Sequence, residues 1–392
     1  MKNVTLLFAL IAATVLGTLG LSPALGRSSD YTVYQAFTEK LAHGTLDLSM
    51  KGFHGSDFVG VLVYFVTGSP QSHLLFQWLS GILLPLAAYG AAAALFRNKR
   101  HGLLFAGIVA LMPYMTYAYV TGYTQASNIL FFLLAIWGAA RNRWWTGIVW
   151  AIAITTKPFA IIVLPLILAL SPKENSFLRR HLSLLIGLGL PALYVIVQIL
   201  QTGQVQVGVH GGTESLVVWD DPFKVIRNAA WGVQTLFSVH NYYYGNDGIT
   251  GYWNLLHTSP VLITLGLFAL LAPALFFGDR LRLHRTLLAS AILGFLLNAI
   301  VSMDNFYMQF LDLVLILAAL PVLVAFPLWI PVVLLTLHYQ WFYFYLDFRD
   351  ATVMKPMVFA ILVFIDLLGI SWCLIHRKRI IMYIKNEIML DT

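Results

Sequence analysis

Residues 145–170 read WTGIVWAIAITTKPFAIIVLPLILAL, an apolar run about as long as one membrane-spanning helix. Both of its flanks are basic, because Arg141 and Arg143 precede it and Lys173 to Arg180 follow it. Loops rich in Lys and Arg collect on one side of a membrane, whereas a single crossing would place one of these two loops on the other side. The sequence therefore predicts two half-helices that enter and leave the membrane on the same side.

The break between the half-helices falls at Thr155-Thr156-Lys157-Pro158. Proline lacks a backbone donor and disfavours helix at the residue before it. Each arm then has about 12 residues and a length of about 18 Å, which is too short to span a membrane alone. Broken backbone at membrane depth is tolerated where it faces protein or a water-filled cavity, so we expect Lys157 to point into a cavity. The alternative is a lysine that extends to the membrane surface and binds nothing.

The composition of the whole chain fits a membrane protein. Of its 392 residues, 59% are hydrophobic and 10% are charged, which excludes an ordinary soluble domain. Apolar stretches near the length of a spanning helix recur from end to end and predict an all-α, polytopic transmembrane protein of about 10–12 membrane segments, including the broken hairpin. The net charge of +7 arises in short loops between these stretches, so we expect no nucleic-acid partner.

The same basic loops predict the orientation of the chain. With a cytoplasmic N-terminus, the basic loops near residues 97–100, 141–143, 173–180, 280–285 and 377–379 all fall on the cytoplasmic face. We interpret the first apolar segment, Val4 to Leu25, as a retained anchor rather than as a signal peptide cleaved near Ser22 to Gly26.

Two large loops then lie outside, over residues 26–72 and 201–256. In the first, apolar residues at helical spacing in Tyr31 to Leu41 predict an amphipathic helix on the membrane surface, and Phe58 to Val66 is a second candidate. In the second, Pro222 to Phe237 has the pattern of a helix, and Asn241 to Gly248 has the composition of a turn.

Polar side chains should converge on the outer side of this arrangement. They come from the first loop, the start of the fourth segment, the hairpin break and the short loop near residue 305: Asp30, Asp47, His54, Asp57, Gln125, Asn128, Lys157, Asp304, Asn305, Tyr307 and Gln309. Ionisable groups at membrane depth are costly, so they indicate a functional site. A carboxylate opposed by a lysine could deprotonate a hydroxyl group on one side and hold a phosphate on the other.

Several of these residues also have a structural interpretation. Asp30 could cap the helix that starts at Tyr31. Gln125 and Asn128 could form hydrogen bonds between helices, and His54 could be an ordinary histidine of a surface loop. No HExxH, GxSxG, Walker or GxGxxG arrangement is present, so hydrolase and nucleotide-binding functions have no support.

Motifs in the first half of the chain resemble a known family. Residues 29–36, SDYTVYQA, resemble the opening of the first outer loop in GT-C membrane glycosyltransferases. Residues 122–128, GYTQASN, resemble the GQxN element of the branch that uses polyprenyl-phosphate mannose. Residues 143–166, with Lys157-Pro158 and Pro165, are similar to a further run of that family. The resemblance covers about residues 1–170, and the second half matches in layout.

The resemblance implies one GT-C-like transmembrane domain over residues 1–392, with residues 1–170 as the more family-like catalytic half. It implies an enzyme that moves a sugar from a polyprenyl-phosphate donor to a lipid-linked glycan or other acceptor, with Asp30 as its general base. Hexose is the expected sugar class, and the GQxN-like element points to mannose. We place the enzyme in a bacterial cytoplasmic membrane, with its active site facing outward and with inversion at the anomeric carbon.

The remaining polar residues are the predicted substrate-binding set: Tyr31, Tyr34, His54, Asp57, Gln125, Asn128, Lys157, Asp304 and Asn305. The expected partners are the donor, the acceptor and membrane lipid. We expect no cofactor and no metal site, and a divalent metal is an alternative that no motif supports. The alternative functions are a polytopic transporter and a flippase or polymerase of lipid-linked glycans, because broken helices with polar groups at mid-membrane are also typical of transporters.

Overall fold

The computed structural model describes residues 31–50, 52–170, 177–203, 205, 222–237, 241–245, 248–253, 260–301 and 305–337. The first predicted segment, the last predicted segment and the candidate residues Asp30 and Asp304 lie outside these ranges. The described helices are α1 Tyr31–Ala42, α2 Asp57–Thr67, α3 Ser72–Leu95, α4 Lys99–Leu111, α5 Pro113–Val120, α6 Gln125–Ala140, α7 Thr146–Thr156, a 3-10 helix Pro158–Val163, α8 Leu164–Leu170, α9 Phe177–Thr202, α10 Pro222–Phe237, α11 Pro260–Leu271, α12 Pro273–Phe276, α13 Leu281–Val301, α14 Asn305–Ala325 and α15, residues 329–337.

The helices confirm the prediction of an all-α polytopic membrane protein. Within the described residues, four helices are long and apolar enough to cross a membrane: α3, α9, α13 and α14. Helices α4 and α5 form a further candidate crossing, bent by 65° where they meet. The bend has a local cause, because Pro113 begins α5 and Met112 before it is extended, with ψ of 117°.

The long apolar run is broken at the predicted place. Helix α7 ends at Thr156, and Lys157 is extended with φ of −147° and ψ of 112°. Pro158 then begins the 3-10 helix. Across the break, the indole N–H of Trp150 donates to the carbonyl oxygen of Ala160 at 3.1 Å. This hydrogen bond shows that the second arm begins beside the first.

The direction of the neighbouring helices shows that the two arms form a hairpin. Helices α7 and α9 pack in parallel, since Gly147 lies against Ser183 and Gly187 lies against Trp150. A Cβ atom on Gly187 would lie 2.1 Å from the Trp150 ring, so only glycine permits this approach. Because α7 and α9 run in the same direction, the segment between them must lead back from the end of α7 to the level where α7 begins.

The second arm makes that return. Pro165 and Ala169 lie beside Arg282 at the start of α13. Ile162, nearer the break, lies beside Gly294 further along α13. The arm therefore runs antiparallel to α13 and ends level with its start, which confirms the half-helix hairpin.

The basic loops define one end of the helix bundle, which we call the basic face. The guanidinium of Arg280 donates to the carbonyl oxygen of Phe96 at 2.7 Å. This hydrogen bond joins the basic loop at residues 280–285 to the basic loop at residues 97–100. The charge pattern of the sequence thus placed these two loops at the same end correctly.

The first large loop packs on the opposite end, which we call the loop face. The backbone N–H of Leu48 donates to the side-chain carbonyl of Gln201 at 3.0 Å. The backbone N–H of Gly55 donates to the carbonyl oxygen of Thr155 at 3.0 Å. These contacts fix the loop on the end of α9 and on the hairpin tip.

Both predicted amphipathic helices of the first loop are present. Helix α1 buries Tyr34 and Phe37. Helix α2 leaves Leu62, Phe65 and Val66 more than half exposed, which suits a helix lying on a membrane surface. The sequence also predicted α10 with its first residue at Pro222.

One feature of the second large loop differs from the prediction. Residues Asn241–Gly245 and Gly248–Trp253 form antiparallel strands β1 and β2, with an irregular register between Tyr243 and Tyr244. The composition of Asn241 to Gly248 predicts only a turn there. The aromatic residues on both sides of the turn favour strands, which explains the difference.

Candidate substrate site at the loop face

A buried carboxylate lies at the centre of the loop face. Asp57, in the first turn of α2, is fully buried together with His54 and His73. Its Oδ2 atom lies 2.9 Å from Nδ1 of His54, and its Oδ1 atom lies 3.0 Å from Nδ1 of His73. The start of a helix also favours a negative charge, through the helix dipole. We call Asp57, His54 and His73 the histidine cluster.

Aromatic rings enclose the histidine cluster. Phe37 stacks on His54 with ring centres 3.9 Å apart, and Tyr34 stacks on His73 with ring centres 5.6 Å apart. Burial raises the pKa of the Asp57 carboxyl. The interactions with His54 and His73 lower it by a larger amount, so the pKa lies below its usual value. Asp57 is therefore an ionised carboxylate held by two imidazoles. An ionised carboxylate only accepts hydrogen bonds, so Nδ1 of His54 carries the proton.

His73 connects the cluster to the turn between α5 and α6. Its Nε2 atom lies 3.1 Å from the carbonyl oxygen of Gly122. Its backbone N–H donates to the side-chain carbonyl of Gln35 at 3.0 Å. Helix α1, the start of α3 and the turn at residues 121–125 are thereby held together around one imidazole.

Gly122 allows this turn to meet α1. Its φ of +74° is in the left-handed region, and a Cβ atom there would lie 2.6 Å from the Tyr31 ring. Changing Gly122 to Ala should therefore lower the free energy of unfolding by about 1–3 kcal/mol, through backbone strain and the displaced ring. Thermal unfolding of the purified protein measures this.

Gly107→Ala is the matched control, because nothing lies within 4 Å of a Cβ atom at Gly107 in helix α4. That change should leave stability equal or raise it, since Ala favours helix over Gly. Equal effects of the two substitutions would contradict the proposed role of the turn.

Two buried amides follow the turn directly. Gln125 and Asn128, in the first turn of α6, are fully buried. Within the described residues, none of their side-chain nitrogen or oxygen atoms has a hydrogen-bond partner. The amide nitrogen of Gln77 also lacks one, although its oxygen accepts from the backbone N–H of Ser127 at 3.0 Å. Buried amides normally have partners, so this arrangement fits a site for a polar ligand.

Lys157 lies beside the same turn. Its Nζ atom is 5.8 Å from the centre of the Tyr123 ring, within the range of a cation–π interaction. The hairpin tip therefore meets the turn that leads into Gln125. On α14, Gln309 and Asp312 are buried as well.

The structure brings together most of the described candidates. His54 and Asp57 belong to the histidine cluster, and Tyr31 and Tyr34 pack beside it. The turn at residues 121–125 joins this cluster to Gln125, Asn128 and Lys157. Asn305 begins α14, but its side chain is not described. His54 is fully buried, so its interpretation as an ordinary surface histidine is wrong.

Asp47 lies apart from the site. Its carboxylate contacts Nζ of Lys40 at 2.7 Å and accepts a hydrogen bond from the hydroxyl of Ser49. The hydrogen bond from Lys40, with help from Ser49, holds the pKa of Asp47 below its usual value. His73 and Gln77 are not among the residues predicted from the sequence. Their spacing of four residues at the start of an apolar segment is the signal that could have found them.

No group of three His, Cys, Asp or Glu side chains among the described residues is arranged to hold a metal ion. In the histidine cluster, both Nδ1 atoms lie within 3.0 Å of the carboxylate, and the one of His54 is hydrogen-bonded to it.

The fold of this chain is similar to that of known structures, although its sequence matches no known family and no curated protein. Among solved structures, the apo oligosaccharyltransferase of Archaeoglobus fulgidus is similar, with a TM-score of 0.50 and 13% identity over 92% of this chain and 54% of that chain. The archaeal oligosaccharyltransferase AglB from Archaeoglobus fulgidus, in complex with an inhibitory peptide and a dolichol-phosphate, gives a TM-score of 0.52 and 12% identity over 93% and 56%.

This chain spans about half of the length of these oligosaccharyltransferases. The similarity shows that this chain shares the fold of the part that it covers, and its apolar helices indicate a multi-pass membrane protein.

Proposed function

We propose that this chain is a membrane glycosyltransferase that moves a sugar from a polyprenyl-phosphate donor to a lipid-linked glycan or other acceptor. The main support is the fold, which more than nine-tenths of this chain shares with an oligosaccharyltransferase. That neighbour was solved with a dolichol-phosphate, which supports a lipid phosphate as the leaving group here. Hexose is the proposed sugar class, with mannose as its first candidate.

Asp30 is the general base of the proposed reaction. It takes the proton of an acceptor hydroxyl group, whose oxygen then attacks the anomeric carbon of the sugar. The bond between that carbon and the phosphate oxygen breaks, and polyprenyl phosphate leaves with the electron pair. A direct displacement of this kind inverts the anomeric centre. Asp30 precedes Tyr31 in the chain, and Tyr31 packs against Gly122 in the turn at residues 121–125.

The other polar groups have complementary roles in the proposal. Lys157 stabilises the negative charge that grows on the leaving phosphate. The buried amides of Gln125 and Asn128 offer donors and acceptors without protein partners in the described residues, which suits sugar hydroxyl groups. The loop face is the outer face of a bacterial cytoplasmic membrane in this proposal, because the basic loops lie at the opposite end.

An assay of bond cleavage tests the proposal against the transporter and flippase alternatives. Purified protein is incubated with a panel of polyprenyl-phosphate sugars and a lipid extract, and release of polyprenyl phosphate is followed. A transferase releases polyprenyl phosphate and labels an acceptor. Lipid-linked sugars that cross the bilayer of a proteoliposome with their sugar–phosphate bond intact would instead support a flippase.

Changing Lys157 to Met is expected to weaken use of the donor by about tenfold or more, because a hydrogen bond to a charged group contributes about 1.5–3 kcal/mol. Folding should be largely retained, since Met keeps most of the side-chain volume. The measurement is the KM for the donor and the turnover rate, with thermal unfolding as the check on folding. Lys99→Met, an exposed lysine on the basic face, is the control and should behave like the parent. Unchanged donor use in Lys157→Met would remove Lys157 from the site.

A further inference from the structure

A groove lies at the opposite end of the molecule from the candidate active site. It has a volume of about 540 Å³ and opens at the basic face between α8, the returning arm of the hairpin, and the start of α13. Its walls are formed by Pro165, Ala169, Arg282, Arg285, Thr286 and Ala289. None of these residues has a role in the proposed sugar transfer.

The groove has a cationic part. Arg282 and Arg285 are exposed and lie three residues apart on α13, so their guanidinium groups project from the same side of the helix. Within the described residues, neither forms an ion pair with a carboxylate. Guanidinium groups bind phosphate oxygens through paired, charge-assisted hydrogen bonds.

The groove also has an apolar part, which runs into the membrane. The candidate membrane span of α13 begins at Leu281, so Arg282 and Arg285 lie in the first turns of that span. Ala289 lies seven residues beyond Arg282, about 10 Å deeper at 1.5 Å per residue. Pro165 and Ala169 form the facing wall. An occupant that uses both parts must be anionic at one end and apolar at the other.

We propose that this groove binds an anionic phospholipid. The headgroup phosphate lies between Arg282 and Arg285, and an acyl chain lies along Pro165, Ala169 and Ala289. Basic pockets between membrane helices are suited to such headgroups. Helix α8 belongs to the hairpin whose tip bears Lys157, so the bound lipid supports that hairpin from the opposite face. The proposal is independent of the sugar-transfer reaction.

Native mass spectrometry of the full-length protein in detergent tests the proposal. The probes are phosphatidylglycerol, which is anionic, and phosphatidylcholine, which is zwitterionic. The parent should retain phosphatidylglycerol preferentially, and the double variant R282Q/R285Q should bind it about tenfold more weakly. R141Q/R143Q removes two exposed arginines from another basic loop of the same charge pattern and should bind like the parent.

Two further arms exclude simpler explanations. Ala289→Phe fills the apolar part and keeps both arginines, so it should also lose phosphatidylglycerol, even if the double variant folds poorly. Inorganic phosphate at the same concentration should not raise the thermal unfolding temperature as phosphatidylglycerol does. The proposal is overturned by equal retention in the parent and Ala289→Phe, by equal retention of the two lipids, or by full stabilisation with inorganic phosphate alone.

Discussion

Changing Asp30 to Asn is expected to reduce sugar transfer by about 10²-fold or more, with little change in folding. Asn has the shape of Asp and caps helices about as well, so a capping role would survive the change. The amide cannot take a proton from the acceptor hydroxyl, so a catalytic role would not survive. The measurement is kcat/KM from the release of polyprenyl phosphate, beside the thermal unfolding temperature of the same preparation.

Asp47→Asn is the matched control on the same loop. Its carboxylate binds Lys40 and Ser49, away from the histidine cluster. Transfer by this variant should remain close to that of the parent, with a stability change of about 1 kcal/mol or less for an exposed ion pair. A stable Asp30→Asn protein with full activity would refute the assignment of the base. Asp304 would then be the next candidate, because the carboxylate of Asp57 is already held by two histidines.

Changing Asp57 to Ala is expected to lower the free energy of unfolding by about 3–5 kcal/mol. The change removes the carboxylate that pairs with Nδ1 of His54 at 2.9 Å and lies 3.0 Å from Nδ1 of His73, so both buried imidazoles lose their charged neighbour. The first loop should then loosen from α3 and from the turn at residues 121–125. Thermal or denaturant unfolding in detergent measures the effect, and proteolysis within the first loop reports where it occurs.

Asp279→Ala provides the comparison, because Asp279 is exposed on the basic face. This substitution should lower the free energy of unfolding by about 0.5 kcal/mol or less. A loss below about 1 kcal/mol for Asp57→Ala at neutral pH would show that the histidine cluster does not hold the loop.

The contribution of Asp57 should also depend on pH. The pKa of this carboxyl is lower in the folded protein than in the unfolded chain, so the folded state binds fewer protons. Its stabilising contribution is therefore present above the unfolded value of about 3.9 and is lost as the pH falls through the folded value. The difference in stability between the parent and Asp57→Ala should shrink only in acid below about pH 4.

The hairpin is a feature that could be predicted from the sequence. Pro158 and the basic flanks of residues 145–170 were sufficient to predict both the break and the return of the chain. These are local rules, since proline restricts the residue before it and charged loops avoid crossing the membrane. The same applies to α1, where the spacing of apolar residues predicts a helix with one buried side.

The histidine cluster shows what the sequence could not provide. His54 and Asp57 are three residues apart, but His73 joins them only because α2 folds back on the start of α3. No periodicity indicates which of several polar residues will share one carboxylate. The separation of Asp47 from the site could not be predicted from the sequence either, because it depends on a contact with Lys40 that forms once the loop is packed.

The sequence by itself determined the membrane class, the helices, the hairpin break and the end of the bundle at which the basic loops lie. Each of these follows from the local cost of placing charge or broken backbone in lipid. The tertiary structure alone decided that Gln125 and Asn128 have no protein partner in the described residues, and that Pro165 lies across a groove from Arg282. The reason is that these features depend on helices far apart in the chain. Side-chain packing sets the distances between such helices, as where Gly187 meets Trp150.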